Sequence, residues 1–152
     1  MQHLHELATL FDPATVVLLV EPGELPGWID ELAQQLGEAK VQARRVVLGE
    51  STGGANLHGT PGAVGAESRQ AAIGPEDAPS GCDLALIAVG AEHEVQALRA
   101  AAALRVRSAV LLSPQATAEH SCELAAIARE ARIRLLGPAT MGFVRPSRGL
   151  NA

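Results

Sequence analysis

The stretch "VLLVEPGELPGW" (residues 17–28) decides how the chain is read. It begins inside "TVVLLV" (15–20), a continuous apolar run rich in β-branched residues and bounded by Pro13 and Pro22. At that length a strand buried on both faces fits better than a helix. Gly23, Pro26 and Gly27 then turn the chain. Trp28, Ile29, Leu32 and Leu36 follow at helical spacing up to Gly37, a natural C-terminal stop. Strand, Gly/Pro turn and helix make the opening of a βα unit, where helix amides commonly cradle a phosphate. Yet the turn carries Glu21 and Glu24, whose charges oppose an anion.

The alternation continues outward from this turn. "VQARRVVLGE" (41–50) reads as a second strand and "DLALIAV" (83–89) as a third, which leads through Gly90 into an alanine-rich helix over 92–106. "SAVLLS" (108–113) is a fourth strand, broken by Pro114, and the helix over 117–133 turns Leu124, Ile127 and Ala128 inward. "RIRLLG" (132–137) is a fifth strand, closed by Gly137 and Pro138. This order predicts an α/β fold: a Rossmann-like doubly wound sheet of about five mostly parallel strands with helices on both faces. Ligands of such sheets bind outside the carboxyl ends of the strands, near the point where strand order reverses.

Composition agrees and narrows the function classes. The chain has 152 residues, suited to a single domain, with 47% apolar and 19% charged residues. With Tyr 0, Phe 2 and Trp 1, the core must come from Leu, Val, Ile and Ala, and no stacking platform for single-stranded nucleic acid is expected. A formal net charge of -5 offers no broad basic field for nucleic acid or an anionic membrane. No apolar run approaches the roughly 18 residues of a membrane span. "MQHLHELATLFDP" lacks the pattern of a secretory signal, so a cytoplasmic location with Cys82 and Cys122 as reduced thiols is expected. Residues 50–82 are dense in Gly, Ser and Pro, and predict a flexible excursion within the domain with one short strand near "QAAI" (70–73).

A dinucleotide fingerprint, G-x-G-x-x-G, is missing from the first turn, which weakens an NAD(P) reading. The pattern of the two chain ends points elsewhere. "LFDPATVVLLV" (10–20), "CDLALIAV" (82–89), "SAVLLS" (108–113), "RLLGPATMGFVRP" (134–146) and the tail "RGLNA" (148–152) together resemble the CoA-binding domain of NDP-forming acyl-CoA synthetases, which also occurs in related protein lysine acetyltransferases. Phe11 and Pro13 match that family's opening motif, and Pro26–Gly27 match the P-G of its first loop. Gly137, Pro138, Gly142 and Pro146 match its G-P…G…P close. The family's G-A-S at the first strand end is Val20-Glu21-Pro22 here, its Asn after G-P is Ala139, and its Gly-rich turn after the fourth strand is Pro114-Gln115-Ala116.

The resemblance implies a ligand, CoA or acyl-CoA, and with the strand-end rule it gives a set of binding positions: Val20, Glu21, Pro22, Gly23, Pro26, Gly27, Val89, Gly90, Ser113, Gly137, Pro138 and Gly142. It implies no catalysis by this chain alone, because the family's phosphorylated histidine or acetyltransferase centre lies in other domains, and the chain ends about where the family's first domain ends. Partners would be a CoA thioester, further domains of such an enzyme, or a second copy. The departures at the first loop remove phosphate contacts, so the alternative is a degenerate domain serving as a regulatory or interaction module.

The remaining polar residues add little. His3 and His5 read as solvated on a short N-terminal helix, His58 belongs to the excursion, and His93 lies near the crevice as a candidate contact. His120 and Cys122, two apart on a helix, do not share a face and make no metal pair. Cys82 should be packed rather than reactive, while Arg44 with Arg45, and Arg145 with Arg148, read as solvated pairs.

Overall fold

The computed structural model describes residues 9–21, 27–38, 41–48, 80–113, 117–140, 144–145 and 150–151. Strand β1 (Thr15–Val20) explains its own apolar run, since both of its faces are covered. Val16, Leu18 and Val20 pack with Ile29, Leu32 and Leu36 of helix α1 (Gly27–Glu38). Val17 and Leu19 face the opposite layer, which holds Ala97, Leu98 and Ala101 of α2 (Glu94–Ala103) and Leu124 and Ala128 of α3 (Ala118–Glu130). Alternate residues of one strand therefore seed two cores.

The sheet is completed by β2 (Gln42–Val47), β3 (Leu84–Ala88), β4 (Ser108–Leu111) and β5 (Arg134–Leu136). Its five strands run in the order β2-β1-β3-β4-β5, and every pair is parallel. The expected doubly wound α/β sheet is thus what the chain forms, parallel throughout. Beyond it, β6 (Val144–Arg145) and β7 (Leu150–Asn151) pair antiparallel as a small ribbon that the sequence did not announce. Two-residue strands carry no readable periodicity.

α1 runs through Gly37, the expected stop, to Glu38, whereas α2 and α3 stop earlier than periodicity suggests, and for one reason. α2 ends at Ala103 instead of 106 because Arg105 takes a left-handed φ of 56°, with Arg105 N–H donating to Ala102 O at 3.0 Å and Val106 N–H to Ala101 O at 3.2 Å. α3 ends at Glu130 instead of 133 in the same way: Arg132 has φ 57°, donating to Arg129 O at 3.2 Å, and Ile133 N–H donates to Ala128 O at 2.8 Å. These paired 5→2 and 6→1 bonds define the Schellman motif. Two smaller expectations also need correction. Trp28 does not join the inner face of α1 but stays 45% exposed, one step round the helix from buried Ile29. Arg45 is not simply solvated, since its guanidinium pairs with Asp30 of α1 at 2.5 Å.

At the amino edge of the sheet, the Asp83 carboxylate stitches β3 to β1. Its Oδ2 accepts from Ala14 N–H at 3.0 Å and from Thr15 N–H and Oγ1–H at 3.3 Å, while Thr15 Oγ1 accepts Asp83 N–H at 3.0 Å. Of the 50–82 excursion, residues 50–79, with the strand expected at 70–73, lie outside the described residues, as do His3 and His5. Among the described residues no helix is long and apolar enough to cross a membrane.

Candidate functional site

Strand order reverses between β1 and β3: the chain leaves β1 for β2 on one side and returns to β3 on the other. The carboxyl ends of these two strands therefore flank the position where an open α/β sheet receives its ligand. Val20 pairs with Ala88 at that end, so Glu21 and the Val89-Gly90 segment emerge side by side. They are bonded to each other: Gly90 N–H donates to Glu21 Oε1. Gly90 is extended, with φ -65° and ψ 158°, a conformation open to any residue. A Cβ there would lie 2.8 Å from Glu92 Oε2 and 3.1 Å from Glu21 Oε1, so two carboxylates crowd this residue.

A second polar cluster occupies the carboxyl ends of β3 and β4. Glu94, in the first turn of α2, is wholly buried at 0% exposure. Burying a carboxyl group is costly unless its oxygens are hydrogen-bonded, and here both are. Ser113 Oγ–H donates to Oε1, and His120 Nε2 lies 2.6 Å from Oε2. His120 is held in turn by the first turn of α3, where its backbone N–H donates to the capping hydroxyl of Thr117 at 3.2 Å. Ser113 also anchors the closing segment, because its carbonyl accepts Ala139 N–H at 3.1 Å. Gly137 must be glycine for that approach: its φ is +93°, and a Cβ would stand 2.7 Å from the Leu111 carbonyl oxygen. The Gly137-Pro138 peptide is cis.

The positions expected from sequence thus fall into separate groups. Glu21 and Gly90 touch each other at the β1/β3 switch point. Ser113, Gly137 and Pro138 meet at the end of β4, together with Glu94 and His120, which sequence reasoning missed. Val20 points into the α1 core at 0% exposure and so offers backbone rather than side chain to a ligand, whereas Val89 is half-buried against the opposite core. Gly27 opens α1, and a Cβ there would meet nothing within 4 Å. Pro22, Gly23, Pro26 and Gly142 lie outside the described residues, as do Glu24 and Pro114–Ala116. The signal for Glu94 is weak: an acid in the first turn of a helix is common, and its partners lie 19 and 26 residues away.

The geometry also limits the chemistry. Ser113 donates to Glu94 and not to His120, so the three residues form a carboxylate-centred cluster rather than a base-activated nucleophile. Among the described residues no group of three or more His, Cys, Asp or Glu is arranged to hold a metal ion. Cys82 is buried, and burial with the nearby Asp83 charge pushes its thiol above the usual range, against the Thr15 hydrogen bond and Arg44. Every buried side-chain polar atom among the described residues has a partner.

No protein-family model matches the chain. In fold it is similar to "dinucleotide forming Acetyl-coenzyme A synthetase 1" of Ca. Korarchaeum cryptofilum, with a TM-score of 0.70 for the apo form, at 20% identity over 96% of this chain. The same enzyme in complex with phosphate and ADP gives a TM-score of 0.66 at 20% identity over 96%. PH0766 from Pyrococcus horikoshii gives 0.69 at 19% identity over 95%. The chain spans 30% of each synthetase chain and 32% of PH0766. What it shares with these proteins at such identity is the fold, an open Rossmann-like α/β domain.

Proposed function

We propose that this chain is a CoA- or acyl-CoA-binding domain of an acyl-CoA synthetase-like or acetyltransferase-like protein, with the chemistry carried by other domains. One observation carries the reading: 96% of the chain overlays on part of an acetyl-coenzyme A synthetase, and the motifs that resemble the CoA-binding family lie at the strand ends where such a fold takes its ligand. The backbone suits the role. Gly90 brings an amide to the switch point, Gly137 brings the closing segment under β4, and the N-termini of α1, α2 and α3 follow the carboxyl ends of their strands. One side chain opposes it, since Glu21 holds a carboxylate on the switch-point amide.

Calorimetric titration of the purified chain with CoA, acetyl-CoA, ADP and NAD tests this. Saturable CoA binding below about 1 mM is the expected result, with ligand at about 100 times Kd stabilising the fold by about 2.7 kcal/mol. No heat and no shift in Tm at several millimolar CoA would overturn it. A second reading, a regulatory or interaction module that no longer binds CoA, is favoured by the Glu21–Gly90 bond and would be left standing by that negative result.

A further inference from the structure

We infer that Glu21 is the residue that sets the affinity of this crevice for a diphosphate, by seating the protein's own carboxylate on the Gly90 N–H that a phosphate oxygen would otherwise take. This rests on the CoA reading above and deepens it. The donor is well placed for an anion, because Gly90 lies beside the carboxyl end of β1, where strand order reverses. Its N–H already has an anionic acceptor supplied in cis. A carboxylate and a phosphate oxygen ask for the same charge-assisted bond, and only one can lie along a single N–H. The second carboxylate, Glu92, approaches the same glycine without a hydrogen bond to its amide, and adds charge of the same sign. The ligand must therefore displace Glu21 before it gains the amide, so the contact acts as a built-in competitor. Removing such a competitor is worth about tenfold or more in affinity.

The test compares the full chain with Glu21→Gln, Glu21→Gly and Glu92→Gln, titrated with CoA, ADP and pantetheine. Gln keeps an acceptor oxygen without the charge, whereas Gly frees the amide. Kd for CoA and for ADP should fall about threefold to tenfold in Glu21→Gln and by more than tenfold in Glu21→Gly. Pantetheine, which has no phosphate, should be unchanged. Glu92→Gln should change Kd less than Glu21→Gln, since it removes charge but leaves the amide occupied. Circular dichroism and Tm confirm that the variants remain folded, and Glu21→Gln serves where Glu21→Gly does not fold. Equal Kd values for CoA in wild type and both Glu21 variants would overturn the inference and leave the CoA reading intact. Failure of wild type and variants alike to bind CoA or ADP would overturn both. An effect of Glu92→Gln as large as that of Glu21→Gln would overturn the role of the Gly90 contact.

Discussion

The two edges of the sheet join the same pair of strands with the same chemistry and to different ends. At the amino edge the Asp83 carboxylate ties β3 to β1 by accepting from Ala14, Thr15 N–H and the Thr15 hydroxyl. At the carboxyl edge the Glu21 carboxylate ties β1 to β3 by accepting from Gly90 N–H. The donors at Asp83 open a strand, at the end opposite the one where open α/β sheets bind their ligands. The donor at Glu21 lies where ligands bind. An internal carboxylate is thus a staple at one edge and a competitor at the other, and position in the topology makes the difference.

Two substitutions can break that comparison, and a third, at the buried carboxylate of the β4 cluster, sets the scale with the largest effect. Glu94→Ala removes a buried side chain from between α2, β4 and α3 and strips Ser113 and His120 of their acceptor. It should cost about 2–4 kcal/mol, read as a lower urea midpoint, while a wild-type midpoint would show that the cluster contributes no stability. Asp83→Ala follows, at about 1–3 kcal/mol, because its carboxylate serves three donors. CoA affinity of the folded Asp83→Ala chain should equal that of wild type, and a tenfold change would erase the distinction between the edges. Glu21→Gly should do the reverse. Its half-buried carboxylate serves one donor that water can replace, so stability falls by no more than about 1 kcal/mol while diphosphate affinity rises.

The sequence was most legible where the physics is local or periodic. β1 showed itself because burial on both faces demands apolar residues at every position, and Ile29, Leu32 and Leu36 showed α1 because one face of a helix must be covered. Gly90 and Gly137 are both legible from the turns they occupy, but only Gly137, with its positive φ and the Leu111 carbonyl against it, must be glycine. What stayed hidden depends on distance along the chain. Asp83 is 68 residues from Thr15, and Glu94 is 26 from His120, so no window reveals either contact. The same holds for Glu21, whose charge was plain in the first turn but whose partner, 69 residues on, was not. Helix ends are misplaced because glycine is the mark that sequence offers: Gly37 lies inside α1, and both αL stops after α2 and α3 are arginines.

Those arginines give the smallest effect, and one whose sign must be argued. A non-glycine residue in the left-handed region costs about 1 kcal/mol, which Arg105→Gly and Arg132→Gly would relieve. Against this, an arginine at a helix C-terminus interacts favourably with the helix dipole by about 0.3–1 kcal/mol at low salt, and glycine gives that up. Glycine also loosens the unfolded chain, which subtracts a little more. Each exchange should therefore fall between about 0.3 kcal/mol stabilising and about 1 kcal/mol destabilising at low ionic strength. The dipole contribution is screened by salt, whereas backbone strain is not. The balance should accordingly move toward glycine in about 1 M NaCl, measured as the difference in urea midpoint between each variant and wild type at the two salt concentrations. A variant that is less stable than wild type at high salt would mean that the arginine side chain makes contacts stronger than the strain it imposes.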